Sequence, residues 1–292
     1  MPNPRHSICV TLLIVSSAAA HAALVSLTPV ADNTLYQSES GSFSNGQGSA
    51  MFAGRNAFDP TTIRRCVFRF AVAETIPANQ RITSATLSLT QNGSNGDPQA
   101  CSLYRLAASW GEGASVAFGG QGGGAPSTTN DATWKHRFWP GTNWATPGGD
   151  FAPVLSAATD VGGFDRFSWS STQLVADVQF MLDNPASDFG WILRGNEDSP
   201  QTTKKFSTRE DLTPSNRPAL VLEYTPLCTG DLNEDGIVED SDFVLFVFSY
   251  NLLACSDASI PLGCPADFNG DGFVDDADFV LFVSAYNELI CP

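Results

Sequence analysis

The chain ends in two stretches that align on their cysteines, CTGDLNEDGIVEDSDFVLFVFSYNLLAC over residues 228–255 and CPADFNGDGFVDDADFVLFVSAYNELIC over residues 264–291. The spacings repeat as well: 228 to 264 and 255 to 291 are both 36 residues, and 228 to 255 and 264 to 291 are both 27. A repeat of this length marks one structural unit used twice. Identity concentrates in D-x-N-x-D-G-x5-D, which reads Asp231, Asn233, Asp235, Gly236 and Asp242 in the first copy. In the second it reads Asp267, Asn269, Asp271, Gly272 and Asp278. An apolar run follows each motif, Phe243 to Phe248 and Phe279 to Val283, and opens at the last Asp. An acidic first turn suits a helix N-terminus, whose backbone amides lack intrahelical partners.

The motif has the spacing of an EF-hand calcium loop. Ca²⁺ takes about 6 to 8 oxygens at roughly 2.3–2.6 Å, so a short loop must turn sharply and aim alternate side chains inward. Gly at position 6 permits the turn. Position 7 gives a backbone carbonyl, here from Ile237 and Phe273, and position 9, Glu239 or Asp275, often acts through water. Position 12 departs from the usual Glu and is Asp in both copies. Two Ca²⁺ ions are therefore expected. No amphipathic helix precedes either loop; Cys228-Thr229-Gly230 and Cys264-Pro265-Ala266 stand there instead. Each unit reads as half an EF-hand, and the two apolar helices are expected to pack on each other.

Paired half EF-hands with Asp at position 12 and near-twofold internal symmetry resemble a type I dockerin over about 60 residues. The resemblance implies a tail that docks onto a cohesin-like module and tethers a polysaccharide-active or polysaccharide-binding unit. It places the partner-facing positions at loop residues 10 and 11, here Asp240 and Ser241, and Asp276 and Ala277. Two features depart from the family pattern: flanking cysteines are present, and the usual Lys or Arg on the helices is missing.

Charge divides the chain at the same place. Of 15 basic and 31 acidic residues, giving a formal charge of -16, residues 228–292 hold 13 acidic and no basic ones. Such a balance argues against nucleic acid or an anionic membrane as partner. The first 22 residues carry Arg5 and His6, an apolar run from Ile8 to Val15 and Ala20-His21-Ala22, the pattern of a secretory signal peptide. The expectation is an extracellular or cell-surface chain beginning at Ala23, with no later run long enough to span a membrane. Loss of that segment removes Cys9 and leaves six cysteines, an even number that implies disulfides in an exported protein. Cys66 is expected to pair with Cys101. In the tail, Cys228 with Cys255 and Cys264 with Cys291 would staple each repeat, a cross-repeat order being the alternative.

Residues 23–226 have a different texture, with short runs rich in Val, Ile, Phe and Thr between Gly, Pro, Asn and Asp clusters. Candidate strands are 66–70, 84–89, 101–106, 189–194 and 219–224; one helix, 173–182, places Leu174, Val178, Met181 and Leu182 on one side. The fold class expected is mostly β, a jelly-roll-like sandwich followed by the small α-helical tail over 227–292. Between Trp110 and Phe151 runs a long Gly-rich excursion with four of the six Trp: Trp110, Trp134, Trp139 and Trp144. Exposed, these rings would form a stacking platform for sugars; buried, they would pin the excursion to the sheet.

Ala31-Asp32-Asn33, Arg65 to Phe70, Ala85 to Leu89, the W-x-E-G and A-T-W blocks, P-G-G-D, Phe206 to Glu210 and Arg217 to Leu222 together resemble the DNRLRE domain. The resemblance spans about 27 to 225. It implies a secreted β-sandwich related to the repeats of an archaeal disaggregatase, in some members a carbohydrate-binding module for alginate-type polysaccharide. Trp110, Trp134 and Trp144 would then stack on sugar rings. Arg65, Arg69 and Arg209 would pair with uronate carboxylates, although Arg209 and Glu210 also read as a structural pair.

No catalytic constellation is assembled in the sequence. His136 is the only histidine after residue 22, no G-x-S-x-G elbow occurs, and Glu112, Asp131 and Asp150 read as loop-capping groups before they read as an acid/base pair. The leading reading is a non-catalytic polysaccharide-binding protein with a calcium-dependent docking tail. A polysaccharide hydrolase or lyase, and an adhesive surface protein without glycan affinity, are the alternatives.

Overall fold

The structure, a computed structural model, describes residues 22–58, 62–94, 97–233, 235–261 and 264–288. The expected signal segment, apart from Ala22, and Cys291 lie outside them. The described chain falls into two compact units, Ala22–Thr225 and Pro226 onward. Among the described residues no helix is long and apolar enough to cross a membrane.

The larger unit is mostly β. Its strands are β1 (Ala23–Leu27), β2 (Ala31–Tyr36), β3 (Phe43–Ser44), β4 (Ala50–Arg55), β5 (Ile63–Arg69), β6 (Gln80–Ser94), β7 (Gln99–Leu106), β8 (Ala125–Pro126), β9 (His136–Phe138), β10 (Thr142–Asn143), β11 (Phe151–Val161), β12 (Arg166–Ser170), β13 (Trp191–Arg194), β14 (Lys204–Ser207) and β15 (Ala219–Pro226). Eleven form one antiparallel sheet in the order β1-β15-β6-β14-β4-β5-β13-β7-β11, with β12 on β6 and β2 on β5. The five segments expected as strands all fall in it, 66–70 ending at Arg69 and 189–194 shortened to Trp191–Arg194. The long β6 changes partner midway: Thr86 to Thr90 pair with β12, and Gln91 to Ser94 with β14 across a bulge.

The sheet is curled, since one apolar cluster collects side chains from both ends of the strand order. Leu220 and Leu222 of β15 and Leu87 and Leu89 of β6 meet Phe68 of β5, Leu103 of β7 and Val161 of β11. Trp169 and Trp191 are sealed in the same core. Helices α1 (Val72–Thr75) and α2 (Thr172–Asp183) add to it, α2 through Leu174, Val178, Met181 and Leu182. Helix α2 begins where the Ser171 side chain accepts a hydrogen bond from the Leu174 amide at 2.9 Å, and ends at Asn184 before Pro185.

The expected Cys66–Cys101 bridge is not made; both are buried free thiols. Cys66 lies in register with Leu193 of β13, and Leu193 with Leu103 of β7, so Cys101 stands two strands across and two residues along. With strands about 4.8 Å apart, that exceeds the roughly 7 Å Cα separation a disulfide spans. Burial lifts both thiols above their usual range, Cys101 to about 12. The thiolate is the reactive form, so iodoacetamide at about pH 8 should label neither cysteine in the native protein and both after denaturation. Native labelling, or a bridged peptide, would contradict this packing.

The second unit carries α3 (Asp240–Leu252) and α4 (Asp276–Glu288), each directly after its acidic loop. The two helices pack through Phe246 and Phe282, whose rings stack at 5.1 Å, around a small core that includes Val238 and Val274. Here too the expected pairing is corrected. Cys255 joins Cys264, Cα atoms 5.4 Å apart, and Cys228 is itself disulfide-bonded. The bridge links the end of the first repeat to the start of the second because the α3 exit folds onto the second loop. The Cys255 amide donates to the Gly272 carbonyl at 3.0 Å and the Val274 amide to the Leu253 carbonyl at 2.7 Å.

Candidate functional site

Alternation along the sheet gives it two apolar faces. While Cys66 and Phe68 point into the main core, Val67, Leu35, Leu106 and Ile192 point outward, and the Gly-rich excursion covers them with Ala132, Trp134 and Trp144. Trp134 is 8% exposed and Trp144 4%. Their faces are therefore buried, and of the two readings of these rings the structure gives the pinning one. The indole of Trp144 donates to the Thr133 carbonyl and that of half-buried Trp110 to the Phe189 carbonyl, both at 2.9 Å. Gly148, at φ +95, lets the chain turn where a Cβ would meet the Trp134 ring at 2.9 Å.

Of the three arginines singled out, two are tied into the fold. Arg65 meets Glu197 through Nε at 2.7 Å and Nη2 at 2.9 Å, and stacks 4.9 Å from the centroid of the Trp134 ring. Glu197 also takes Arg194 Nη2 at 2.7 Å. Burial pushes the Glu197 carboxyl up, but the bonds from Arg65 and Arg194 win and hold it below its ordinary value.

Arg209 forms a fork on Glu112, Nε at 2.8 Å and Nη2 at 2.5 Å, with Glu210 3.0 Å from the same Nε. The Asp32 amide donates to Glu112 and the Arg209 amide to Asp32, each at 2.9 Å. The A-D-N, W-x-E-G and F-S-T-R-E blocks, distant in sequence, thus meet in one network. Burial, followed by the nearby Glu210, raises the Asp32 carboxyl well above its usual value. This is a tie between β2, the excursion and the turn after β14, and it occupies Arg209.

Arg69 is placed differently. Its guanidinium makes a 3.4 Å contact with exposed Glu74 and lines a cleft of about 270 Å³ with Ser109, Trp110, Asp188 and Phe189. Ser109 and Phe189 also line a neighbouring depression of about 470 Å³, to which Trp144 and Arg137 contribute. Arg69, Trp110 and the edge of Trp144 are the expected glycan residues that line surface clefts, while Arg65 and Trp134 are occupied beneath.

Asp188 sits at that cleft, 6% exposed, and one of its oxygens accepts from the Val72 amide at 3.1 Å. Burial raises its carboxyl to about 6, with Arg69 opposing. Its folded value thus lies above the unfolded one, so between about pH 4 and 6 the folded state binds more protons and this group's contribution to stability falls as pH rises. Asp188→Asn should remove that dependence. Its stability relative to wild type by urea unfolding should be higher at about pH 7.5 than at about pH 4.5, and an unchanged difference would contradict the assignment.

The carboxylates weighed as catalytic groups have structural partners. Glu112 holds Arg209, Asp131 caps the Thr128 amide, and Asp150 accepts from the Ala145 and Thr146 amides, both at 2.8 Å. His136 pairs with Thr133 Oγ1 at 3.1 Å and lies edge-on to Trp139.

In the second unit the two acidic loops are built alike. Asp231 accepts from the amides of Asp235 and Gly236, Asn233 from Asp235, and Asp235 from Ile237; Asp267, Asn269 and Asp271 repeat these bonds. Gly236 and Gly272 adopt φ +90 and +91, the left-handed turn expected at position 6. The position-12 side chains are fully buried. Asp242 Oδ1 accepts from Leu232 at 2.7 Å and Asn233 at 2.9 Å, and Oδ2 from Glu239 at 3.0 Å; Asp278 does the same with Phe268, Asn269 and Asp275.

Among the described residues, the set of three Cys, His, Asp or Glu ligand atoms within 4.8 Å of one another is Cys255, Cys264 and Asp267, two of them in a disulfide. The loop carboxylates are arranged more widely, around their own amides. Asp240 accepts from the Tyr286 hydroxyl at 2.5 Å and Asp276 from Tyr250 at 2.6 Å, so each position-10 carboxylate is bound to the helix of the other repeat. Ser241 bonds to Asn233 and Glu239, and Ala277 is exposed.

Sequence reasoning passed over Glu197 and Arg64. Arg64 lines a cavity of about 540 Å³ at one end of the curled sheet. A scan of the chain against protein-family models matches none, and a search of curated proteins finds no relative.

Proposed function

We propose that this is an extracellular polysaccharide-binding protein, its larger unit a jelly-roll-like sandwich of the DNRLRE kind and its tail a calcium-folded, dockerin-like docking module. The observation that carries the reading is the matched pair of exposed apolar helix faces in the tail. Phe243, Val244 and Leu245 are 40, 65 and 40% exposed on α3, and Phe279, Val280 and Leu281 are 40, 67 and 41% exposed on α4. The helices pack on each other as expected, but of their large apolar side chains the contact seals only Phe246 and Phe282. Val244 and Val280, each about two-thirds exposed at the same position of its helix, offer the apolar contacts a protein partner would cover.

The loop donors fit a hard cation: they are all oxygens, at positions 1, 3, 5, 7, 9 and 12 of each copy. Asp231, Asn233, Asp235, Ile237, Glu239 and Asp242 would hold one Ca²⁺, and Asp267, Asn269, Asp271, Phe273, Asp275 and Asp278 the other. A carboxylate oxygen has two lone pairs, and both on Asp242 Oδ1 are already engaged by amides, leaving Oδ2 as the position-12 contact. A bound Ca²⁺ would supply charge neutralisation for the acidic side chains of each loop. In the larger unit, the clefts at Arg69 and Trp110 support glycan binding, and the structural engagement of Glu112, Asp131 and Asp150 favours binding over cleavage.

Surface plasmon resonance of the full chain over an immobilised type I cohesin tests the docking half. The reading expects saturable binding in calcium that is lost in chelator and weakened by Val244→Asp combined with Val280→Asp. Binding of equal strength in chelator, or none in calcium, would count against it.

A further inference from the structure

Strand β5 carries Arg64 and Arg65 side by side, and alternation sends them to opposite faces. Arg65 goes outward and meets Glu197. Arg64 shares its face with Cys66 and Phe68 and is 6% exposed. Its Nε donates to the Gly122 carbonyl at 3.1 Å, and its Nη1 donates to Thr62 Oγ1 at 2.6 Å and the Ile63 carbonyl at 3.0 Å. The guanidinium lies 4.9 Å from the centroid of the Tyr36 ring.

Those bonds use three of five N–H groups, and among the described residues Nη2 has no hydrogen-bond partner and no carboxylate pairs with the charge. Arg65, Arg105 and Arg209 by contrast each have an acid within reach. Holding a buried cation without a counter-ion is costly, and a ligand that brings the anion offsets that cost.

The surroundings of Arg64 are those of a ligand site. It lines the cavity of about 540 Å³ together with Phe52, Asn56, Phe58, Ser94 and Thr203, and among the described residues of the wall none is acidic. That volume lies within the range of small-molecule sites, about 300–1,000 Å³. Phe58, 78% exposed, lines the same space. A cation and two aromatic rings therefore line one space, with no carboxylate among its described residues.

We propose that this cavity binds a carboxylate carried on a six-membered ring, with Arg64 Nη2 on the carboxylate and Phe52 and Phe58 against the ring. The proposal deepens the polysaccharide-binding reading, and rests on it for the ring being a uronic acid residue of a glycan. A free aromatic acid presents the same chemistry.

The test is isothermal titration of the full chain with D-galacturonate, D-galactose and benzoate, repeated on Arg64→Gln and Phe58→Ala. Galacturonate should bind saturably, with galactose at least about tenfold weaker, and each substitution should weaken galacturonate at least about tenfold, as for loss of a charge-assisted contact or an aromatic wall. Because Phe58 is exposed, Phe58→Ala keeps the test decisive if Arg64→Gln fails to fold. Equal binding of galactose, binding unchanged by the folded variants, or uptake of neither acid would overturn the proposal. Benzoate taken up without galacturonate would support the site and sink its assignment to uronic acid. If polygalacturonate binds and neither variant weakens it, the glycan reading stands and this cavity is not its site.

Discussion

Glu197→Gln is expected to destabilise the larger unit by about 3–5 kcal/mol, the range found when one partner of a buried ion pair is removed. Glu197 side-chain exposure is 10%, and its two oxygens receive Arg65 and Arg194 at 2.7–3.2 Å. A neutral amide would leave Arg65 without a carboxylate partner and Arg194 with only the farther Asp198, and Arg65, stacked between Trp134 and Phe151, has little freedom to reach water. The loss should therefore propagate into the excursion that Trp134 pins. Urea unfolding monitored by tryptophan fluorescence should show a lower midpoint with the slope retained. Glu74→Gln is the contrast: Glu74 is 70% exposed beside Arg69, and the change should be within about 0.5 kcal/mol. Equal effects from both substitutions would mean that the Glu197 cluster is not what secures the excursion.

Asp242→Ala should have the second large effect, confined to the tail. The substitution strands the amides of Leu232, Asn233 and Glu239 at once, at about 1–3 kcal/mol for each that stays buried, and removes the position-12 ligand. Calcium stoichiometry by titration calorimetry should fall from two ions to one, with earlier melting of the tail. Asp242→Asn keeps an acceptor oxygen for the Leu232 and Asn233 amides and should recover part of the stability without the charge. The identical bonding of Asp278 predicts the same outcome for Asp278→Ala. Two ions still bound by Asp242→Ala would remove these residues from the ligand set.

The tail was legible because turn chemistry is local. A Gly at φ +90 and acidic side chains accepting from amides two to five residues on are fixed by spacing, so the motif foretold both loops and both helix starts. Its disulfides were not legible. Two equal staples, one per repeat, are the simplest reading of the spacing, but Cys255 pairs with Cys264 because the α3 exit returns to the second loop. Nothing in either repeat alone encodes that return.

In the larger unit, alternation located strands but not their neighbours. Cys66 and Cys101 both face the core, and only the insertion of β13 between their strands keeps them apart. The same register logic held a signal that sequence reasoning left unused. The parity that places Cys66 and Phe68 inward places Arg64 inward with them, and a charged residue on a core face asks for a partner. Trp134 and Trp144, by contrast, sit in a Gly-rich stretch with no period, so their burial depended on a sheet face that only the fold supplies.

Affinity electrophoresis of the full chain tests the central claim most directly, in calcium-containing gels loaded in turn with alginate, polygalacturonate, chondroitin, xylan and cellulose derivatives, with product release followed in the same samples. The account predicts retardation by at least one polysaccharide, strongest for a polyuronate, with no fragments released. Unretarded migration through every gel, or release of fragments from a retarding one, would contradict it.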